Sequence, residues 1–185
     1  MSLIKLSILS FVFSFVGITA KANSISFKET LDQSKYSVFF LRHALAPGYG
    51  DPTDFNIDDC KTQRNLNSEG KDQARSIGTD LKSIGISFDK IYSSEWCRCT
   101  ETASLLNLGE VTAFSGLNSF FQDHYNREET LGKLMNQLEN LDKTGRVLMV
   151  THQVVISAVT GIDVSSGVAV AYNPSDGSAV KLSMR

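Results

Sequence analysis

Two of the three histidines in this 185-residue chain, His43 and His152, stand directly behind short apolar runs, Tyr36 to Leu41 (YSVFFL) and Arg146 to Val150 (RVLMV). A neutral imidazole is a nucleophile and a proton carrier near neutral pH. Arg42 adjoins the first histidine, and Arg98 lies near the start of a helix-like segment. Guanidinium groups grip phosphate oxygens two at a time, and backbone N–H groups at a helix start also favour an anion. Histidines and arginines together are the equipment for chemistry on an anionic group. Singly, each has a plainer explanation: a lone histidine is more often structural, and a lone arginine more often sits in a surface ion pair. The repetition of histidine behind a strand is what raises the pair above that background.

These residues need elements to position them, and the pattern supplies an alternation of strand and helix. Tyr36 to Leu41 and Arg146 to Val150 read as buried strands, Asp89 to Tyr92 and Glu110 to Ala113 as shorter ones. Ser68 to Ile84 reads as a helix capped by Ser68, with Ala74, Ile77, Leu81 and Ile84 on one face. Trp96 to Leu106 and Val154 to Thr160 read as further helices. Leu131, Leu134, Met135, Leu138 and Leu141 form an apolar stripe at helical spacing, expected in the core. Ala44 to Gln63 is a long loop, a kind that is usually functional, and Leu117 to Asn126 is irregular. Gly167 to Tyr172 and Ser178 to Leu182 flank Asn173-Pro174-Ser175-Asp176-Gly177, a hairpin signal. The alternation predicts an α/β layered domain whose ligands bind beyond the carboxyl ends of the strands, where Arg42-His43 and Thr151-His152 fall.

Four segments together resemble the histidine phosphatase superfamily, whose fold is that of the phosphoglycerate mutases. Leu41-Arg42-His43-Ala44 is similar to its arginine-histidine-glycine signature, with Ala44 in place of the glycine. Leu66-Asn67-Ser68-Glu69-Gly70-Lys71-Asp72-Gln73-Ala74 resembles its leucine-threonine to glutamine-alanine helix start. Tyr92 to Ala103 (YSSEWCRCTETA) is similar to its serine-serine, arginine, threonine-alanine segment, and Val150-Thr151-His152 to the strand that brings the second histidine. The resemblance covers roughly Ser37 to Thr160. It implies a three-layer α/β sandwich, with a mostly parallel central sheet, helices on both faces and a C-terminal hairpin.

It also implies a phosphomonoester hydrolase in which His43 takes the phosphoryl group, with Arg42, Arg98 and His152 around the phosphate oxygens and neither cofactor nor metal. Many relatives carry a glutamate as proton donor where this chain has Ser119. Asp123 is the nearest carboxylate and is the expected donor; Glu128 and Glu129 read as the acidic first turn of the next helix. A mutase of the phosphoglycerate type resembles the chain less, since mutases use long insertions and cytoplasmic metabolites, and a phosphohistidine phosphatase would suit its size but not an exported protein. A non-catalytic domain that binds phosphate or sugar phosphate is the alternative from another class, kept alive by the missing glutamate.

The first 22 residues have another purpose. Lys5 is the only charge before the apolar run Leu6 to Val16, and Ala20-Lys21-Ala22 ends the stretch with small residues at the cleavage positions. That is the layout of a secretory signal peptide cut after Ala22. The run is short of the roughly 20 residues a membrane span needs, and Ser7, Ser10 and Ser14 dilute it. The expected mature protein, residues 23–185, is one periplasmic or secreted domain with no stable membrane insertion. Its substrate is expected to be a small molecule or an envelope glycan phosphate. In an oxidising compartment, Cys60, Cys97 and Cys99 give one disulfide and one free thiol, Cys60 pairing with either of the other two. A zinc site is rejected, because Cys97-Arg98-Cys99 is too tightly spaced for a ligand pair. With 42% hydrophobic and 21% charged residues and a net charge of -2, the chain is neither disordered nor furnished with the basic stripe of a nucleic-acid binder.

Overall fold

Seven strands join in one sheet in the computed structural model, which describes residues 25–27, 29, 35–142 and 144–183. The expected signal peptide, residues 1–22, lies outside the described residues. The strands are β1 (Ile25–Ser26), β2 (Val38–Arg42), β3 (Lys90–Ser93), β4 (Val111–Ala113), β5 (Val147–Thr151), β6 (Ala169–Tyr172) and β7 (Ala179–Ser183), in the order β1-β7-β6-β2-β5-β3-β4. β2, β5, β3 and β4 run parallel to one another, and β1 runs parallel to β7. β6 runs antiparallel to β2 and β7, so β6 and β7 form the C-terminal hairpin foreseen from its turn residues.

Alternate residues of a strand point to opposite faces, and here both faces are apolar. Phe39 and Leu41 of β2, with Leu148 and Val150 of β5, pack beneath α1 (Ser68–Ser83) and α2 (Cys97–Leu106). Val38 and Phe40, with Val147 and Met149, pack beneath α3 (Arg127–Glu139) and α4 (Gln153–Thr160). The continuous apolar runs in β2 and β5 are therefore the mark of strands covered on both sides, and the domain has the three layers expected.

The helix ends depart slightly from the sequence reading. Asn67, not Ser68, caps α1: its side-chain oxygen accepts from the Gly70 N–H at 2.8 Å, and Ser68 is the first helical residue. Asn126 caps α3 in the same way through Glu129 N–H, leaving Glu128 and Glu129 in the acidic first turn. Leu134, Leu138 and Leu141 are buried, but Met135 is 40% exposed. It lies about 100° around the helix from Leu134, which carries it off the face packed on the sheet.

Two glycines let α1 sit where the site needs it. A Cβ on Gly70 would meet the Leu45 carbonyl oxygen at 1.9 Å, and one on Gly78 would meet that of Leu106 at 2.1 Å. The first contact presses α1 against the loop behind His43; the second presses it against α2. Gly132, in contrast, is exposed in α3 with nothing within 4 Å of a Cβ. Gly78→Ala is expected to destabilise the protein by about 1–3 kcal/mol, while Gly132→Ala should stabilise it by about 0.5–1 kcal/mol. Denaturant midpoints of the two variants check both signs, and equal effects would contradict the close approach.

Candidate active site

Three adjacent parallel strands end at one edge, and each hands a polar residue to it. Arg42 pairs in register with Thr151, so the next residues, His43 and His152, emerge side by side, their ring centroids 5.5 Å apart. The His43 N–H donates to the Thr151 carbonyl at 2.9 Å, and the Ser94 N–H, just past β3, donates to the Val150 carbonyl at 2.9 Å. The histidine-behind-strand pattern is thus a consequence of register.

His43 is 2% exposed, and its Nδ1 lies 2.8 Å from the carbonyl oxygen of Ala44. A carbonyl only accepts, so Nδ1 carries the proton and Nε2 is left with a free lone pair. Burial, then the Arg98 charge, pushes the His43 pKa down to about 3, so the ring is neutral at any ordinary pH. His152 is held well below its usual value by burial and then by Arg98. Its Nδ1 faces Arg98 Nη2 at 3.4 Å and its Nε2 faces Ser94 Oγ at 3.0 Å. Since a guanidinium only donates, His152 bears its proton on Nε2, which donates to Ser94; Ser94 donates in turn to Asn118 Oδ1 at 3.1 Å. Cys99 Sγ also approaches that nitrogen at 3.4 Å, as a thiol that burial pushes up to about 12.

Arg98, on the first turn of α2, is 3% exposed and clasps the Asp51 carboxylate with both arms, at 2.8 and 3.1 Å. Asp51 also accepts from the Arg64 N–H and from Trp96 Nε1. Burial raises its pKa, but the bonds from Arg98 and Arg64 outweigh that and hold it below the usual range. Asp51 stays a carboxylate. It comes from the long loop behind β2, which a disulfide between Cys60 and Cys97 fastens to the start of α2, leaving Cys99 as the buried free thiol. Gln63 adds a bond from the Cys97 N–H to its Oε1 at 2.9 Å.

The same loop brings in Arg64, which donates to the carbonyls of Gly50 and Ala46. Arg42, Arg64 and Arg98 line one cavity of about 810 Å³ with His43 and His152. Burial, then repulsion from Arg98, lowers the pKa of both Arg42 and Arg64, a strain that a bound anion would relieve. Arg42 and Arg98 each keep a buried Nε–H with no acceptor. Sequence reasoning missed Arg64 and Asp51, because they sit in an aperiodic loop where residue type alone signals nothing.

The structure therefore brings together Arg42, His43, Arg98 and His152, and it leaves Asp123 apart. Asp123 is exposed, with φ 56, at the end of a short 3-10 turn (Phe121–Asp123), and it does not line the cavity. Ser119 does line it, 4% exposed. Among the described residues, Asp163 is the one carboxylate in the lining; hydrogen bonds from Ser157 and Gln153 keep its pKa low, so it holds no proton to give. Among the described residues no cluster of side chains could hold a metal ion.

Removing one partner of a buried ion pair leaves the other charge stranded, at a cost of about 3–5 kcal/mol. Asp51→Ala is expected to lose stability in that range, and vanadate, an oxyanion that can replace the lost carboxylate beside Arg98, should restore more stability to it than to the unaltered protein. Thermal melts with and without vanadate test this; an equal gain in both would mean that Asp51 does not balance the site's charge.

Solved structures share this fold. The protein histidine phosphatase SixA complexed with tungstate superposes with a TM-score of 0.54 at 15% identity, over 78% of this chain and 92% of that one. The alpha-ribazole phosphatase from Shigella flexneri gives 0.55 at 17% identity, over 80% and 96%. Phosphoglycerate mutase from Thermus thermophilus gives 0.54 at 20% identity, over 79% and 98%. No curated protein sequence matches the chain. Residues 38–120, which carry His43, Arg64, Arg98 and Ser119, match the family model of the histidine phosphatase superfamily (branch 1), and the domain they belong to has the fold that these solved structures share.

Proposed function

We propose that the protein is a phosphomonoester hydrolase that works through a phosphohistidine on His43. The observation that carries this reading is a neutral His43, its Nε2 lone pair free, in a cavity where two buried guanidinium N–H groups lack an acceptor. Nε2 forms a bond to phosphorus as the ester P–O bond breaks. Arg42, Arg64 and Arg98 hold the three remaining oxygens, where charge is carried through the transition state, and His152, whose Nδ1 accepts from Arg98, orients that guanidinium. Water then attacks phosphorus, the P–N bond breaks, and inorganic phosphate leaves with His43 neutral again.

The leaving oxygen needs a proton unless it is stable as an anion. Asp123, the donor expected from sequence, lies outside the cavity lining, and the carboxylates nearest the site are ionised. The geometry therefore favours esters with good leaving groups, to which water supplies the proton. An envelope glycan phosphate, with its poor alkoxide leaving group, is the second reading and requires Asp123 to act as donor. A disulfide beside the site supports action in an oxidising compartment outside the cytoplasm, after removal of residues 1–22.

The mature protein is expected to hydrolyse p-nitrophenyl phosphate, and His43→Ala to lose at least about a thousandfold in turnover. Acid-labile phosphate should map to His43 after rapid quenching. Because the nucleophile is already neutral, its titration should not lower kcat/KM between pH 8 and 5. A steep dependence of rate on leaving-group pKa, unchanged in Asp123→Asn, supports the first reading; a shallow one that steepens in Asp123→Asn supports the glycan phosphate. Label elsewhere, or activity retained in His43→Ala, overturns the mechanism.

Export is tested separately. Full-length protein expressed with its leader should be recovered from the periplasm or medium beginning at residue 23, with one disulfide visible as a mass gain of two hydrogens on reduction. A product that keeps residues 1–22 in the cytoplasm overturns that part of the reading.

A further inference from the structure

The cavity above His43 is much larger than a phosphoryl group requires. At about 810 Å³ it falls among sites that enclose a whole organic ligand, and part of its lining has no role in gripping phosphate. Tyr49 lines it while 88% exposed. Gly48 and Gly50 flank this tyrosine with φ of 96 and 70, angles that glycine adopts freely and that swing Tyr49 away from the body of the protein. Its ring meets that of Phe121 edge-on, centroids 5.3 Å apart, and Phe121 is itself 37% exposed. Two large aromatic rings left at a cavity mouth offer a stacking face to whatever enters.

Arg127, the first residue of α3, lines the same cavity. Its guanidinium lies over the Phe120 ring at 5.6 Å. Among the described residues it has no ion pair or hydrogen bond, whereas Arg42, Arg64 and Arg98 are all anchored. A cation held over an aromatic ring, with its donors unspent, is suited to a carboxylate or phosphate. The lack of a protonated carboxyl in the lining points the same way as the rings. An aromatic leaving group spreads its own negative charge and needs no donor.

Resting on the phosphomonoesterase reading, we propose that Tyr49, Phe121 and Arg127 form a leaving-group subsite selective for aryl phosphates that carry a second anionic group. The departing ring stacks against Tyr49 and Phe121 while Arg127 holds its anion, and the phosphoryl group lies on His43. An alkyl phosphate has no ring for the aromatic pair, and a neutral aryl phosphate leaves Arg127 unmatched.

N-acetyl phosphotyrosine and its C-terminal amide isolate the claim, since they share one leaving phenol and differ by a single carboxylate. The unaltered protein is expected to show kcat/KM about tenfold higher for the acid, the scale of one charge-assisted hydrogen bond. Arg127→Gln should erase that preference and Arg127→Lys restore part of it. Tyr49→Ala should raise KM for both compounds, and Tyr49→Phe should return it. Equal rates for acid and amide in a protein that hydrolyses p-nitrophenyl phosphate would overturn the subsite, as would a preference that survives Arg127→Gln. Absence of any turnover of p-nitrophenyl phosphate would instead bring down the phosphatase reading beneath it.

Discussion

A charged guanidinium with 3% exposure is tolerable only because a carboxylate meets it, and the rest of the site is arranged around that pair. Arg98 and Asp51 satisfy each other with two bonds, and Asp51 gathers Arg64 and Trp96 into the same contact. Without the carboxylate, Arg42, Arg64 and Arg98 would repel one another in a low-dielectric cavity. With a second such carboxylate, the cavity would repel phosphate. One buried carboxylate against Arg42, Arg64 and Arg98 leaves this part of the cavity a net positive charge that the fold can bear and a substrate can complete.

The two halves of the machinery have different sources of precision. The histidines are placed by strand register, which cannot drift by one residue without turning both faces of a doubly covered strand inside out. The arginine and aspartate of the long loop have no such lattice. They depend on side-chain hydrogen bonds, on the Cys60–Cys97 link, and on the close seat of α1 that Gly70 permits. A sheet edge supplies the two histidines, and a stapled loop supplies the charges around them.

This difference explains what the sequence disclosed. Buried strands announce themselves by apolar runs, so the placement of His43 and His152 and the layered fold were legible, whereas Arg98 was marked by the resemblance of Tyr92 to Ala103 to a family segment and not by its position alone. Loop residues have no period, so Asp51 and Arg64 were invisible until the chain was folded. Asp123 was chosen as the carboxylate nearest the missing glutamate in sequence. The 3-10 turn with positive φ at Gln122 and Asp123 carries it to the surface instead. The cysteine arithmetic left two partners for Cys60; burial of Cys99 against His152 and the nearness of Cys97 to the loop select the second cysteine.

The His43 tautomer is set by the carbonyl of the very next residue. A peptide oxygen is present whatever side chain its residue bears, so no single substitution at position 44 deletes this partner, and alanine serves where relatives have glycine. Orientation of His43 is consequently independent of the loops that line the mouth of the cavity. Those loops are free to diverge in evolution, or to be redesigned in the laboratory, without disturbing the ring nitrogen we propose as the attacking atom.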